Sequence, residues 1–312
     1  MFEERENCPV CGSSDHKLLH EALLDKPPIS DYLTRIYSRV GPGIQLELLK
    51  DVNYTLLECA DCTLIFQKYI PNDELMLILY EKWIDPETTR TNHLRTDDVN
   101  LFNYYANEMS VILALLDKSP NDTHILDFGM GWAKWALMAK AFGTNCKGAE
   151  LSQARLENAK NLGIDTVHWD DIPGGSFDFI NTEQVFEHIS TPTETLMHLR
   201  AGLSDSGLIK ISVPTDNKIH KKIEVMDWSA SRLSKHDLNA VSPLEHINLF
   251  NYASLATLAD QCGLRIRPIP ISTQYRFSTN WKGLKQIGKN VVLPFYRNVM
   301  KKQNYVFMEL KS

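Results

Sequence analysis

The chain has 312 residues, 43% hydrophobic and 23% charged, with a formal net charge of −6. That length allows one large domain or two, and the composition is that of an ordinary globular protein. The acidic balance counts against a nucleic-acid partner, whose phosphates need a positive field. No apolar run approaches the roughly 20 residues of a membrane span. The opening MFEERENCPV carries charge in place of an apolar signal core, so a cytoplasmic protein without membrane contact is expected.

Six cysteines in such a chain are expected to be reduced thiols, metal ligands or core residues. Four of them form two Cys-x-x-Cys pairs, CPVC (Cys8, Cys11) and CADC (Cys59, Cys62). One pair on a tight turn can chelate an ion, and two such turns complete a closed zinc site of four thiolates. A closed site is structural, because it leaves no position for a substrate. Redox dithiols or packed core cysteines are the competing readings. The 47 residues between the pairs exceed a minimal zinc ribbon, so this insertion must fold on its own. YTLLECADCTLIFQ (54–67) reads as two strands joined at the second pair.

Residues 72–117 read as helical, with amphipathic stretches at 73–83 and 97–117 and Asp97 as the second one's cap. From His124 strands and helices alternate. The candidate strands are HILDFG, CKGAEL, DTVHW, FDFINT, LIKISVP, LRIRPIPI and NYVFMELK. Alternation of this kind predicts a mainly parallel sheet covered on both faces, with the last two strands able to pair antiparallel at an edge. Cys146 and Cys262 fall here and read as packed thiols.

The stretch ILDFGMGWAKW (125–135) joins a buried strand to a helix. Gly129 and Gly131 permit a sharp turn and close approach of a ligand at the carboxyl edge of the sheet. Asp127 precedes the first glycine. Its carboxylate would repel a pyrophosphate and favour an ammonium or sulfonium ligand. Glu150, at the end of the second strand, suits hydrogen bonding to ribose hydroxyls. Asp170 or Asp171, after the third strand, can accept from an exocyclic amine such as that of adenine. Ser152 reads as an N-cap and Gly163 as a helix stop.

With these residues in place, the stretch from about 124 to 271 resembles the class I S-adenosylmethionine (SAM)-dependent methyltransferases. LDFGMGWA matches their glycine motif, with Ala133 where glycine is frequent. FDFINTEQVFEHI, GLIKISVP and SPLEHINLFNYASLATLADQCGLR resemble their fourth-strand, fifth-strand and sixth-strand segments. The resemblance implies an α/β fold: a Rossmann-like seven-stranded sheet with helices on both faces, plus a small N-terminal zinc-ribbon-like module. It implies SAM as cofactor, held by Asp127, Gly129, Gly131, Glu150, Leu151, Asp170, Asp171 and Glu183. Zinc is expected at Cys8, Cys11, Cys59 and Cys62. The expected division is a zinc-binding module (1–70), a helical connector or lid (71–120) and a methyltransferase domain (121–312). A cysteine-rich module ahead of such a core is similar to bacterial methyltransferases of sugars and nucleotide-linked sugars, and IPNDELMLILYEKW resembles their helix after the second cysteine pair.

A hydroxyl acceptor, or a carbon beside a carbonyl, needs a general base. Glu187 and His188 follow the fourth strand, and His246 follows a long loop (215–245) that can wall an acceptor. These three are the catalytic candidates. Turn capping and helix anchoring are their structural alternatives. Tyr80 and Trp83 can line the mouth of the site or fill a helix core. The basic run His220–Lys222 with Arg232 and Lys235 can meet a phosphate or remain a solvated face. The expected function is methylation of a small molecule, best a sugar or nucleotide-sugar. The alternatives are an RNA methyltransferase gripping RNA through the zinc module, or a catalytically silent partner that keeps the fold.

Overall fold

The computed structural model describes residues 1–96, 99–277, 283–284, 287–288, 290–292 and 305–311. Asp97 lies outside them. In chain order, β1 (Phe2–Glu4) and β2 (His16–Leu23) precede α1 (Ile29–Val40). Then come β3 (Asn53–Cys59), β4 (Ile65–Gln67), β5 (Tyr69–Pro71), α2 (Asp73–Ile78), α3 (Pro86–Thr96) and α4 (Val99–Leu116). An alternating run follows: β6 (His124–Phe128), α5 (Lys134–Ala141), β7 (Asn145–Ala149), α6 (Gln153–Asn161), β8 (Asp165–Thr166), β9 (Phe177–Glu183), α7 (Pro192–Ala201) and β10 (Leu203–Ser212). The remaining described elements are α8 (Ile219–Val225), β11 (Asn248–Leu249), α9 (Tyr252–Gln261), β12 (Leu264–Arg267), α10 (Ile271–Arg276) and β13 (Tyr305–Leu310). Among the described residues, no helix is long and apolar enough to cross a membrane.

The chain forms two compact units that interleave in sequence. The cysteine-bearing unit comprises Met1–Arg95, Phe186–Thr193 and Val213–Leu258; the sheet unit comprises Thr96–Val185, Glu194–Ser212 and Ala259–Ser312.

The sheet unit carries seven strands in the order β12-β13-β10-β9-β6-β7-β8. β10, β9, β6, β7 and β8 run parallel. β13 lies antiparallel between β10 and β12, so the sheet is mixed and the antiparallel strands sit at one end. Two strands are shorter than the sequence suggests. DTVHW pairs only over Asp165–Thr166 because the chain turns at Trp169–Asp171. β12 stops before Pro268, which has no N–H to donate to a ladder. β9 is buried along nearly its whole length, as an interior parallel strand should be. Trp135, Ala136, Phe179, Leu208 and Phe307 build the core beside it.

The cysteine-bearing unit holds an antiparallel sheet, β11-β4-β3-β2, and a short β1–β5 ladder. YTLLECADCTLIFQ forms the β3–β4 pair as expected. The long insertion between the cysteine pairs supplies β2, α1 and β3. On α1, Ile29, Leu33 and Tyr37 are buried at four-residue spacing, which is one helical face. They pack with Tyr32, Tyr54, Trp83, Trp228 and Leu249 in one apolar cluster. The loop after β10 therefore returns to this unit, where β11 pairs with β4 through Asn248↔Phe66 and Leu249↔Ile65.

Candidate active site

Three left-handed residues follow β6 in close succession. Gly129 has φ +68 and Gly131 φ +54. A Cβ at Gly129 would lie 2.6 Å from Val185 Cγ2, so this glycine is required by both conformation and space. Ala133 takes the third position with φ 60, ψ 22 and starts α5. The backbone N–H groups of Gly129 and Met130 donate to the Ala149 carbonyl at 2.9 and 3.2 Å, fixing the turn against the end of β7.

Glu150 reaches back to this turn. Its Oε2 accepts from Gly131 N–H at 2.9 Å, and its Oε1 accepts from Leu151 and Ser152 N–H at 2.9 and 3.1 Å. A carboxylate offers about four lone-pair positions, so three are taken by backbone donors. A two-handed contact to a ribose diol thus needs one of those donors to give way. Ser152 stands at the N-cap of α6, but its side chain makes no cap bond; the Glu150 carboxylate occupies its backbone N–H instead. Gly163 ends the helix with φ +69 as expected. Leu151 is 98% exposed.

Asp127 is buried. Its Oδ1 accepts from Asn181 Nδ2 at 2.8 Å, and its Oδ2 is buried without a hydrogen bond. Burial pushes its carboxyl up to about 7, with the Asn181 bond and the Lys210 charge opposing the rise. Sheet register explains these partners: Asp127 pairs with Asn181 across β6–β9, and Asn181 with Lys210 across β9–β10. The three side chains form one row at one level of the sheet.

Lys210 is fully buried. Its Nζ donates to Glu183 Oε2 at 2.5 Å and Glu108 Oε2 at 2.8 Å. Trp135 Nε1 donates to the same Glu108 oxygen at 2.7 Å. Burial alone would lower the ammonium; the two carboxylates overcome it and hold it above its ordinary value. Glu183 is among the residues expected at the cofactor, whereas Lys210, Glu108 and Asn181 are not singled out by the sequence reading. A lone lysine inside the apolar run LIKISVP is the available signal for a buried ion pair.

Asp170 and Asp171 follow edge strand β8 in a short 3-10 turn and are both exposed. Beside them Trp169 stacks on His198, ring centroids 3.7 Å apart at 5°, and lies 5.9 Å from the Phe128 ring. Asp127, Gly129, Gly131, Glu150 and Glu183 thus gather at the carboxyl ends of three neighbouring strands, β6, β7 and β9.

The other candidates lie in the cysteine-bearing unit. Cys8 and Cys62 Sγ are 3.5 Å apart, and Cys11 and Cys59 Sγ 3.4 Å; all four sulfurs lie within 4.8 Å of one another. Thr63 N–H donates back to the Cys59 carbonyl and Gly12 N–H to the Cys8 carbonyl, so each pair sits on a closed turn. Glu187, His188 and His246 also converge, each offering one ligand atom within 4.8 Å of the others. His188 Nδ1 is 2.8 Å from the Glu245 carbonyl oxygen and 3.4 Å from Tyr80 Oη. Burial pushes the His246 imidazole down to about 4. Trp83 is core. Within the basic loop, His220 meets Glu58 at 2.9 Å and Lys222 meets Asp216 at 2.6 Å.

Residues 100–269 match the family described as Methyltransferase domain. This is more than half of the chain, and the chain belongs to that family: it is a SAM-dependent methyltransferase. No curated protein gives a match. Solved structures similar to it include the plantazolicin methyltransferase BpumL in complex with SAH, at 14% identity and TM-score 0.47, covering 76% of this chain and 94% of that one. PKMT2 from Rickettsia typhi is similar at 14% identity and TM-score 0.44, covering 67% and 53%. The YcgJ protein of Bacillus subtilis is similar at 13% identity and TM-score 0.41, covering 65% and 99%.

Proposed function

We propose that this methyltransferase acts on a small-molecule acceptor, a sugar or nucleotide-sugar, and uses a proton-accepting side chain from the group Glu187, His188 and His246. The observation that carries this reading is the convergence of those three side chains. A hydroxyl or an acidic carbon must lose its proton to become a nucleophile, whereas an amine mostly needs positioning. A neutral imidazole beside a buried carboxylate is suited to that task, because the carboxylate stabilises the imidazolium that forms. Burial pushes the His246 imidazole down to about 4, which makes it a weak acceptor at neutral pH, so His188, with Nε2 3.8 Å from Glu187 Oε1, is the better placed imidazole.

The methyl donor is assigned to the carboxyl edge of β6, β7 and β9. Asp127 would face the amino acid end of SAM, Gly129 and Gly131 would let its backbone approach, and Glu150 would take the ribose. Leu151, Asp170 and Asp171 would border the adenine, and Glu183 would close the pocket beside Asp127. SAM supplies an activated methyl group for in-line displacement; the protein's own residues position the acceptor and exclude water.

The four cysteines are assigned to structural zinc in a module of residues 1–70, with 71–120 as connector and 121–312 as transferase domain, bounds that the compact units of the fold cut across by gathering Phe186–Thr193 and Val213–Leu258 with Met1–Arg95. Zinc–sulfur bonds of about 2.3 Å place tetrahedral sulfurs roughly 3.8 Å apart. The observed 3.4 and 3.5 Å separations fit that cage with a small expansion.

Calorimetry with SAM, S-adenosylhomocysteine and NAD tests the donor site: binding of the first two and none of the third is expected. A panel of acceptors headed by nucleotide-sugars then tests the substrate class. Glu150→Ala is expected to weaken SAM by about 1–3 kcal/mol, the cost of stranding buried polar groups. Unchanged affinity would remove Glu150 from the ribose.

A further inference from the structure

We propose that Glu187, His188 and His246 form a second, open metal site that binds one divalent first-row transition cation. All three belong to the cysteine-bearing unit. The set is one carboxylate and two imidazoles, donors that suit zinc, cobalt, iron or manganese. Glu187 is buried, with 1% of its surface exposed. His188 Nε2 lies 3.8 Å from Glu187 Oε1, and the two imidazole rings are 5.0 Å apart at 68°. Their planes are therefore crossed, as two rings presenting edges to one point would be.

The tautomers favour ligation. Only an N–H can face the Glu245 carbonyl oxygen, 2.8 Å from His188 Nδ1. His188 Nδ1 therefore carries the proton and Nε2 carries the lone pair that points to Glu187. A hydrogen bond from the outer ring nitrogen to a backbone carbonyl is the arrangement that orients metal-bound histidines. His246 Nδ1 is buried and makes no hydrogen bond, so the ring's hydrogen bond to the Asn239 backbone is made by Nε2–H, which leaves the lone pair on Nδ1.

Metal–ligand bonds of about 2.0–2.1 Å put tetrahedral donors roughly 3.3 Å apart. The trio must therefore draw in by less than about 1.5 Å from its 4.8 Å envelope, a side-chain movement. Three protein ligands leave at least one position open, unlike the closed four-cysteine cage. The open position suits an oxygen donor: water, a hydroxyl or a carboxylate. For the acceptor chemistry proposed above, the cation would lower the pKa of a bound hydroxyl, so that its proton could pass to solvent water and no unligated imidazole would be needed to take it. That link rests on the proposed function; the metal site does not.

The experiment is a titration of the full-length protein with Co²⁺, followed by calorimetry and optical absorption, after its cysteine site has been filled with zinc. The expected result is one bound Co²⁺ without a thiolate charge-transfer band. Glu187→Gln and His246→Ala should each weaken it at least about 100-fold, more than loss of an outer-shell contact, with thermal unfolding and SAM affinity measured on the same samples. Two outcomes overturn the proposal. One is absence of non-thiolate Co²⁺ binding in the wild-type protein up to about 1 mM, the weak limit of specific affinity. The other is binding that survives in a folded His246→Ala variant. A variant that does not fold leaves the wild-type titration as the deciding measurement. Failure of the donor reading shows separately, as lack of SAM binding.

Discussion

The two units solve the same problem, the burial of polar groups, by opposite means. In the sheet unit, polar side chains sit inside the parallel part of the sheet and pair with one another: Asp127 with Asn181 across β6–β9, and Lys210 with Glu183 of β9 and Glu108 of α4. In the cysteine-bearing unit, three chain segments share short strands, some of two or three residues, and tyrosines tie them together. Tyr54 Oη donates to the Val241 carbonyl at 2.5 Å, Tyr37 Oη to Glu245 at 2.8 Å and Tyr32 Oη to Ser242 at 3.2 Å. The first unit has a continuous ladder to hold it. The second is a set of small pieces that a metal cage would staple.

If that contrast is correct, stripping zinc has the largest effect of any single change. Structural zinc contributes roughly 10 kcal/mol or more of folding energy. A strong chelator, or Cys59→Ser, is expected to abolish protease resistance in Met1–Arg95 while the sheet unit keeps a cooperative unfolding transition. A chelator that changes neither would remove zinc from the description of the protein.

The buried lysine breaks the sheet unit in the corresponding way. Lys210→Met removes a cation between two carboxylates, and loss of one partner from a buried ion pair costs about 3–5 kcal/mol. Part of that loss should return in Lys210→Met with Glu108→Gln, since the second change removes the charge that the first strands. A double variant destabilised by the sum of the losses of Lys210→Met and Glu108→Gln measured singly would show that the two residues are not coupled.

How far each unit is legible in sequence follows from how local its determinants are. Strand, two glycines, helix, acid: the whole edge proposed for the donor lies between Asp127 and Glu183, and each residue acts near its own position in the chain. The cysteine pairs are equally local. What the sequence conceals is pairing at a distance. Lys210 meets Glu108 across 102 positions. The edge strand β11 meets β4, and nothing in INLFN marks a strand that completes an N-terminal sheet. Hence the insertion between the cysteine pairs looks self-sufficient when its core is completed by Trp228, Val241 and Leu249. The catalytic candidates follow the same rule. Glu187 and His188 are neighbours in sequence, but their convergence with His246 exists only in three dimensions.

Asp127 gives a smaller effect with a sharp pH signature. Its carboxyl stands at about 7 in the fold against an ordinary 3.8. Between those values the folded state holds more protons than the unfolded one, so this group's contribution to stability falls as pH rises from about 4 to about 7. Asp127→Asn should therefore stabilise the SAM-free protein more at pH 8 than at pH 5, by thermal unfolding. Binding has the opposite sign. A cationic ligand needs the ionised carboxylate, so SAM affinity should weaken below pH 7 with one proton released, and Asp127→Asn should remove that dependence. A pH-independent SAM affinity in the wild-type protein would detach Asp127 from the donor.

The smallest expected effect tests how well the glycine turn is built. Ala133 holds a left-handed conformation that costs a residue with a Cβ about 1–2 kcal/mol. Glycine there escapes that cost but gains about 0.4–1 kcal/mol of freedom in the unfolded chain. It also gives up one methyl from a position with no exposed surface. Relief of the backbone strain outweighs these losses by a narrow margin, so Ala133→Gly should raise stability by less than about 1 kcal/mol, a shift of about 1–3 °C for a domain of this size. SAM affinity should hold. A drop in the unfolding midpoint would mean that the buried methyl, packed with Met130 and Trp135 in the core, matters more than the strain. Alanine would then be the better residue at the third position of this turn.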